Sequence, residues 1–211
     1  MSKKERDINI ITLGETGVGK TSILNRLRDD TFHENEKSSQ LISIFHQQRP
    51  YEKRKLIMKL NFRDTGGQEI YLESLPKQYM RDSHVVLLIF SDIKNLNVLI
   101  DRWYKHYKDN TNIDNSRFIL VGNKSDIFGE EKQTIEKQGQ EFADEINAHF
   151  ITCSAKSKDN MDILEQIIVN EAKGLIDLTE ELLNEQNKIQ QNNQNFNLDE
   201  RKNENKKSGC C

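Results

Sequence analysis

The sequence predicts an α/β fold, a mostly parallel six-stranded sheet with helices on both of its faces. First, short apolar runs typical of strands alternate with longer segments of helical periodicity. Second, the run over residues 84–90 is almost wholly apolar and rich in Val, Leu and Ile, as expected for a strand buried on both faces. Third, four polar loops each follow directly after a strand, where parallel sheets bind their ligands.

The expected elements follow in order along the chain. Strands are expected at residues 8–13, 41–46, 56–62, 84–90, 118–121 and 150–153, with a turn near Pro50. Helices are expected after the first loop, across 96–107, across 134–147, and from near Asp159 with helical character as far as Leu183. One apolar stripe in the second helix predicts core packing; its members are Leu96, Leu99, Ile100, Trp103, Tyr104 and Tyr107.

Length and composition indicate one domain and a tail. We expect the domain at residues 7–183 and a disordered tail at 184–211, where Asn, Gln and charged residues replace apolar ones. The net charge of −3 predicts no nucleic-acid partner, and no apolar run reaches the roughly 20 residues that span a bilayer. With only three cysteines, two of them adjacent at the end, no disulfide framework is expected and a reducing compartment is favoured.

The first loop has the form of a phosphate-binding loop. Its glycines allow successive backbone N–H groups to point at an anion where a helix begins. Lys20 would meet the β and γ phosphates, and the Thr21 hydroxyl would ligate Mg²⁺. The alternative is a Gly-rich turn that only closes a strand–helix unit. The candidate residues are Gly14, Glu15, Thr16, Gly17, Val18, Gly19, Lys20, Thr21 and Ser22.

Three further polar loops follow strands later in the chain. They start at Asp64, Asn123 and Ser154. Asp126 can accept two hydrogen bonds from the guanine N1–H and exocyclic amine, a donor pattern that adenine does not offer. Taken alone, residues 123–126 are equally compatible with a polar turn. Next to a phosphate loop, they favour GTP over ATP.

Together the four motifs resemble, in order and spacing, those of the small Ras-like GTPases, and the terminal Gly-Cys-Cys resembles the Rab branch. The resemblance covers about residues 7–176 and implies a P-loop NTPase fold, the Ras-like G domain, that binds GTP or GDP with Mg²⁺. It further implies that Asn123 braces the phosphate loop, the Lys124 stem packs on the base and the Ala155 N–H meets the guanine oxygen. Ser154 and Lys156 complete that loop.

The resemblance also implies a slow GTP hydrolysis. Asp64 would hold Mg²⁺ through water, the Gly67 N–H would contact the γ-phosphate, and Gln68 would orient the attacking water. The family usually has a threonine in the first switch loop, and here Ser39, with Ser38 as its rival, would take that metal-binding role. Phe32 aligns with an aromatic that covers the guanine edge, although a Phe in this loop packing on the sheet is almost as compatible with the sequence.

Partners and localisation follow from the same resemblance. Arg63 and Gly66 replace residues usual in Rab proteins, which indicates an unusual effector surface. Cys210 and Cys211 resemble a double geranylgeranylation signal, the alternative being an unmodified exposed pair. We expect an exchange factor, a GTPase-activating protein, effectors and a prenyl-binding chaperone. The expected location is the cytoplasmic face of intracellular membranes, with a cytosolic pool and a role in vesicle traffic. The alternative is a membrane-tethered nucleotide-binding adaptor with little or no hydrolysis.

Overall fold

The computed structural model describes residues 4–34, 43–65 and 80–207. Its six strands form one sheet in the order β2-β3-β1-β4-β5-β6. Only the pairing of β2 with β3 is antiparallel among the pairs described, so the predicted mostly parallel six-stranded sheet is confirmed. The strands are β1 (Lys4–Leu13), β2 (Ser43–Tyr51), β3 (Leu56–Asp64), β4 (Val85–Phe90), β5 (Arg117–Gly122) and β6 (His149–Thr152).

Helices connect the parallel strands. Asp92 caps α2, because its carboxylate accepts a hydrogen bond of 2.7 Å from the Asn95 backbone N–H. A π-helical segment with wider turns follows α2 directly and leads into α3. The helices are α1 (Lys20–Asp29), α2 (Ile93–Val98), the π-helical segment (Leu99–Tyr104), α3 (Lys105–Asn110), α4 (Lys132–Glu145) and α5 (Met161–Lys207).

The core lies around the central strands. All six residues of β4 are buried, which requires that both faces of the sheet are covered at its centre. The predicted stripe does pack in this core: Leu96, Leu99, Trp103 and Tyr107 are buried, while Ile100 and Tyr104 are partly buried against it. The core therefore fixes the helices that lie beside the carboxyl ends of the strands.

The turn predicted near Pro50 is present but begins two residues later. Pro50 lies within β2 and pairs with Ile57 of β3, and the turn comes later, at Glu52–Arg54 and Lys55. Lys55 has a φ of 52°, which reverses the chain. Proline is tolerated because β2 is an edge strand, where a missing N–H interrupts no ladder on the open side.

Helix α5 extends further than the sequence predicts. It continues to Lys207, where we expected helical character to end near Leu183 and a disordered tail from residue 184. No glycine or proline lies between residues 175 and 208, so nothing in the chain chemistry stops the helix. The chain divides into two units, Met1–Ala172 and Lys173–Cys211, and the domain boundary at 183/184 stays a prediction. In the described part of the chain, no helix combines the length and apolarity that crossing a membrane requires.

Candidate functional site

A cleft of about 460 Å³ opens at the carboxyl ends of the parallel strands. Three of the four predicted loops meet there, as the position of ligand sites in parallel sheets leads one to expect. The segment after α1 contributes a further wall. The lining residues are Thr16, Gly17, Gly19, Lys20, Thr21, Ser22, Phe32, His33, Glu34, Asn123, Lys124, Asp126, Ile127, Ser154, Ala155 and Lys156.

The phosphate loop is pressed against neighbouring strands. Gly14 has a φ of 146°, and a Cβ there would lie 2.1 Å from the Ile89 carbonyl oxygen of β4. Gly19, with a φ of 93°, precedes the first residue of α1, and a Cβ on it would lie 2.3 Å from the Asn123 side-chain nitrogen. Both positions therefore require glycine for conformation and for space.

The buried ammonium group of Lys20 points toward this loop. Its Nζ donates hydrogen bonds to the carbonyl oxygens of Gly14, at 2.9 Å, and Glu15, at 2.8 Å. Burial removes the ammonium from water and lowers the pKa of Lys20 to about 8, while the charges of Asp64 and Glu15 act in the opposite direction. A phosphate in the cleft would supply the negative charge that favours the protonated lysine.

Two oxygen donors fit a magnesium site beside the loop. The Thr21 hydroxyl, in the first turn of α1, donates a hydrogen bond of 2.6 Å to Oδ2 of Asp64, the last residue of β3. Asp64 is buried, and a hydroxyl next to a carboxylate is the oxygen chemistry that Mg²⁺ prefers. The third predicted ligand, Ser39, lies outside the described residues, as does Ser38.

The phosphate loop is also held from the core side. Trp103 Nε1 donates a hydrogen bond of 2.6 Å to the Glu15 carboxylate, and both side chains are buried. Arg102 lies 3.9 Å from the same carboxylate oxygen. The sequence predicts Glu15 in the loop and Trp103 in the core, but the distance between them along the chain gives no indication that they form a hydrogen bond.

Asn123 connects the phosphate loop to the loop at residues 154–158, called the base-binding loop below. Its side-chain nitrogen donates to the Val18 carbonyl at 2.8 Å, and its side-chain oxygen accepts from the Ala155 backbone N–H at 3.1 Å. The next residue, Lys124, has a φ of 66°, a conformation uncommon for a side chain of its size. One buried amide thus fixes two loops that are 105 and 32 residues away in sequence.

A serine positions the carboxylate expected to recognise the base. Ser154 Oγ donates a hydrogen bond of 2.6 Å to Asp126 Oδ1 and accepts one of 3.0 Å from the Ser157 backbone N–H. Ser154 is fully buried, whereas Asp126 lines the cleft. A carboxylate held by one hydrogen bond at its back is suited to accept donors from the cleft side.

The described structure brings most of the predicted site residues together. Gly14, Glu15, Val18 and Asp64 do not line the cleft but support the residues that do. The sequence analysis missed three lining residues, His33, Glu34 and Ile127, because nothing in their type or spacing distinguishes them from loop residues. Five predicted site residues lie outside the described range: Ser39, Gly67, Gln68, Cys210 and Cys211.

Comparison with known proteins identifies the family. A family model described as the Ras family matches residues 9–173. The chain belongs to the Ras family. The match spans the phosphate loop, the loop at residues 123–126, the base-binding loop and all but the first residues of the sheet.

Similar Ras-family proteins have names of the Rab and Ypt type. Ras-related protein RabC of Dictyostelium discoideum is 30% identical over 204 residues, which is 96% of each chain. Ras-related protein RABE1e of Arabidopsis thaliana is 31% identical over 211 residues, covering 97% of this chain and 92% of that one. GTP-binding protein ypt1 of Schizosaccharomyces pombe is 31% identical over 156 residues, covering 72% and 73%. The predicted resemblance to Rab-type small GTPases, which hydrolyse GTP, is confirmed.

Proposed function

We propose that this small GTPase of membrane traffic is a magnesium-dependent switch anchored by lipid to the cytoplasmic face of intracellular membranes, with a cytosolic pool. One observation carries the proposal: the buried Asn123 amide holds the phosphate loop and the base-binding loop in one hydrogen-bonded unit. Such a unit binds both ends of a guanine nucleotide at once. A site for phosphate alone would not need the second loop.

The residues around the phosphates would have separate roles in hydrolysis. The backbone N–H groups of the loop and Lys20 hold the phosphate oxygens, and Thr21 with Asp64 would hold Mg²⁺, together with Ser39. Bound Mg²⁺ neutralises charge that develops on the phosphates. Gln68 would orient the attacking water, and the Gly67 N–H would contact the γ-phosphate. An activating protein that supplies an arginine would raise the rate roughly 10³- to 10⁵-fold.

Replacing one side-chain oxygen of Asp126 by an amide nitrogen tests base recognition. The Asp126→Asn variant replaces one acceptor oxygen by a donor amide, which no longer pairs with the exocyclic amine of guanine but pairs with the oxygen of xanthine. We expect GDP to bind about 100-fold more weakly or worse and xanthosine diphosphate to become the preferred ligand, by titration calorimetry. The control is Asp101→Asn, an exposed carboxylate in the π-helical segment. Unchanged GDP affinity in Asp126→Asn would remove Asp126 from the site.

The lipid anchor has its own test. Two prenyl groups on Cys210 and Cys211 give stable attachment where a single chain is marginal. We expect the intact mass of the protein from its own cells to exceed the polypeptide mass by two geranylgeranyl groups. A variant with both cysteines changed to serine is the control and should match its polypeptide mass. An unmodified wild-type protein would refute the anchor. The regulators, effectors and prenyl-binding chaperone that act on this switch are part of the same proposal.

A further inference from the structure

Two segments, 30–34 and 154–158, form the walls of the part of the cleft expected to bind the base, called the base pocket here. Arg26 lies between these two segments, although it does not itself line the cleft. It belongs to the last turn of α1, and its side chain is only 11% exposed. On one side, its Nε donates to the Ala155 carbonyl oxygen at 2.6 Å and its Nη2 to the Lys156 carbonyl oxygen at 3.2 Å. Both carbonyls belong to the base-binding loop.

On its other side, Arg26 holds the segment that follows α1. Its Nη1 donates to the Asp30 carbonyl oxygen at 2.7 Å and contacts the Asp30 carboxylate at 3.3 Å. The guanidinium carbon lies 5.7 Å from the centre of the Phe32 ring, within the range of a cation–π contact. One planar guanidinium therefore binds three carbonyl oxygens on two chain segments and supports the aromatic wall of the cleft.

Two ion pairs join the same two segments further out. Lys158 pairs with Asp30 at 2.5 Å, and Lys156 pairs with Glu34 at 2.9 Å. The pairs hold the pKa of Asp30 and Glu34 below their usual values and raise the pKa of Lys156, which agrees with charge complementarity across the gap. All four side chains are more than half exposed, so each pair contributes modestly and is weakened by salt.

We propose that Arg26 is a positioning residue for the base pocket, and that Asp30, Glu34, Lys156 and Lys158 form an ionic latch that slows nucleotide release. The inference rests on the proposed function, because a latch has meaning only if guanine nucleotide occupies the cleft. For the nucleotide to leave, the segment 30–34 must move away from the loop 155–158. That movement breaks both ion pairs, and Arg26 limits how far it can go.

The test measures the release rate of a fluorescent GDP analogue bound to the full chain. Arg26→Lys keeps the charge but not the planar fork, and we expect release about tenfold faster with an unchanged association rate. The double variant Asp30→Asn/Glu34→Gln removes both ion pairs. Asn suits the left-handed backbone of Asp30, whose φ is 56°, so this variant removes the carboxylate charges, including the one that Arg26 contacts, without adding backbone strain. We expect release about three- to tenfold faster and a weaker dependence on salt.

A charge exchange separates positioning from a general loss of stability. Lys156→Glu alone places two carboxylates opposite each other and should accelerate release, whereas Lys156→Glu/Glu34→Lys restores the pair and should recover part of the wild-type rate. The matched control is Glu141→Gln, which removes an exposed ion pair with Lys137 in α4 and should change nothing. Thermal unfolding of each variant with GDP checks that it is folded.

The outcomes are distinguishable. Release within twofold of wild type in both Arg26→Lys and the double variant, or no recovery on charge exchange, would overturn the latch while leaving the GTPase intact. If wild-type protein fails to bind the GDP analogue at all, it is the proposed function that fails. Should Arg26→Lys not fold, the double variant and the charge exchange still decide the question.

Discussion

At the scale of single residues, the Glu15 carboxylate shows how a hydrogen bond from the core stabilises a buried charge. Trp103, the chain's only tryptophan, donates to it at 2.6 Å from the π-helical segment. A carboxylate removed from water is costly unless it is hydrogen-bonded, so this contact stabilises the phosphate loop from the core side. It also ties a binding residue to a core helix.

Trp103→Phe should therefore destabilise the protein by about 2 to 4 kcal/mol, because it removes the donor and leaves unfilled volume. The measurement is urea unfolding followed by circular dichroism at a fixed GDP concentration. In the background of Glu15→Met, which has no carboxylate to satisfy, the same substitution should cost clearly less. Equal costs in both backgrounds would mean that the hydrogen bond contributes nothing beyond packing.

At the scale of elements, the turn from β1 into α1 contains two glycines with contrasting surroundings. Gly14 combines a φ of 146° with contact to the Ile89 carbonyl, whereas Gly17 has a φ of 79° and open space around its Cα. A methyl group at Gly17 would meet only conformational strain. At Gly14 it would also push two strands apart.

We expect Gly14→Ala to lower the free energy of unfolding by about 3 kcal/mol or more and Gly17→Ala by about 1 kcal/mol. Chemical denaturation of both variants, with the same excess of GDP, provides the comparison. The account is contradicted if Gly17→Ala is the more destabilised of the two, because Gly17 would then face a neighbour that the structure does not place there.

Elements that depend on local pattern were predictable from sequence. The apolar run of β4 and the 3.6-residue stripe of Leu96, Leu99, Trp103 and Tyr107 both lie where the sequence indicates. Strand β2 extends beyond its predicted end and includes Pro50, because proline is permitted in an edge strand, and edge position is a property of the sheet, not of the local sequence. The end of α5 was misplaced because a polar composition does not by itself stop a helix.

The candidate site was predictable where chemistry fixes the residue type. A phosphate loop needs glycines, a lysine and a hydroxyl at set spacing, and these lie together in the structure. The role of Arg26 was not predictable, because its partners are carbonyl oxygens about 130 residues away, and backbone carbonyls carry no sequence signature. The same holds for the pairing of Glu34 with Lys156.

At the scale of the whole molecule, the sheet places three parts of the nucleotide site at the carboxyl ends of its parallel strands. The phosphate loop follows β1, Asp64 ends β3, and Asn123 follows β5. Arg63 pairs with the exposed Ile44 across β3 and β2, which places a charge beside an apolar side chain. The nucleotide site and this pair of side chains thus belong to one sheet.

The most direct test of the switch is single-turnover GTP hydrolysis with Mg²⁺, for wild type beside Gln68→Leu. We predict slow hydrolysis by the wild type, on the order of 10⁻⁴ s⁻¹, and a clearly lower rate for the variant, because leucine cannot orient water. GTP affinity should be similar in both proteins. If both bind GTP tightly but are equally inert, the chain is a static nucleotide-binding module and the timed-switch account is contradicted.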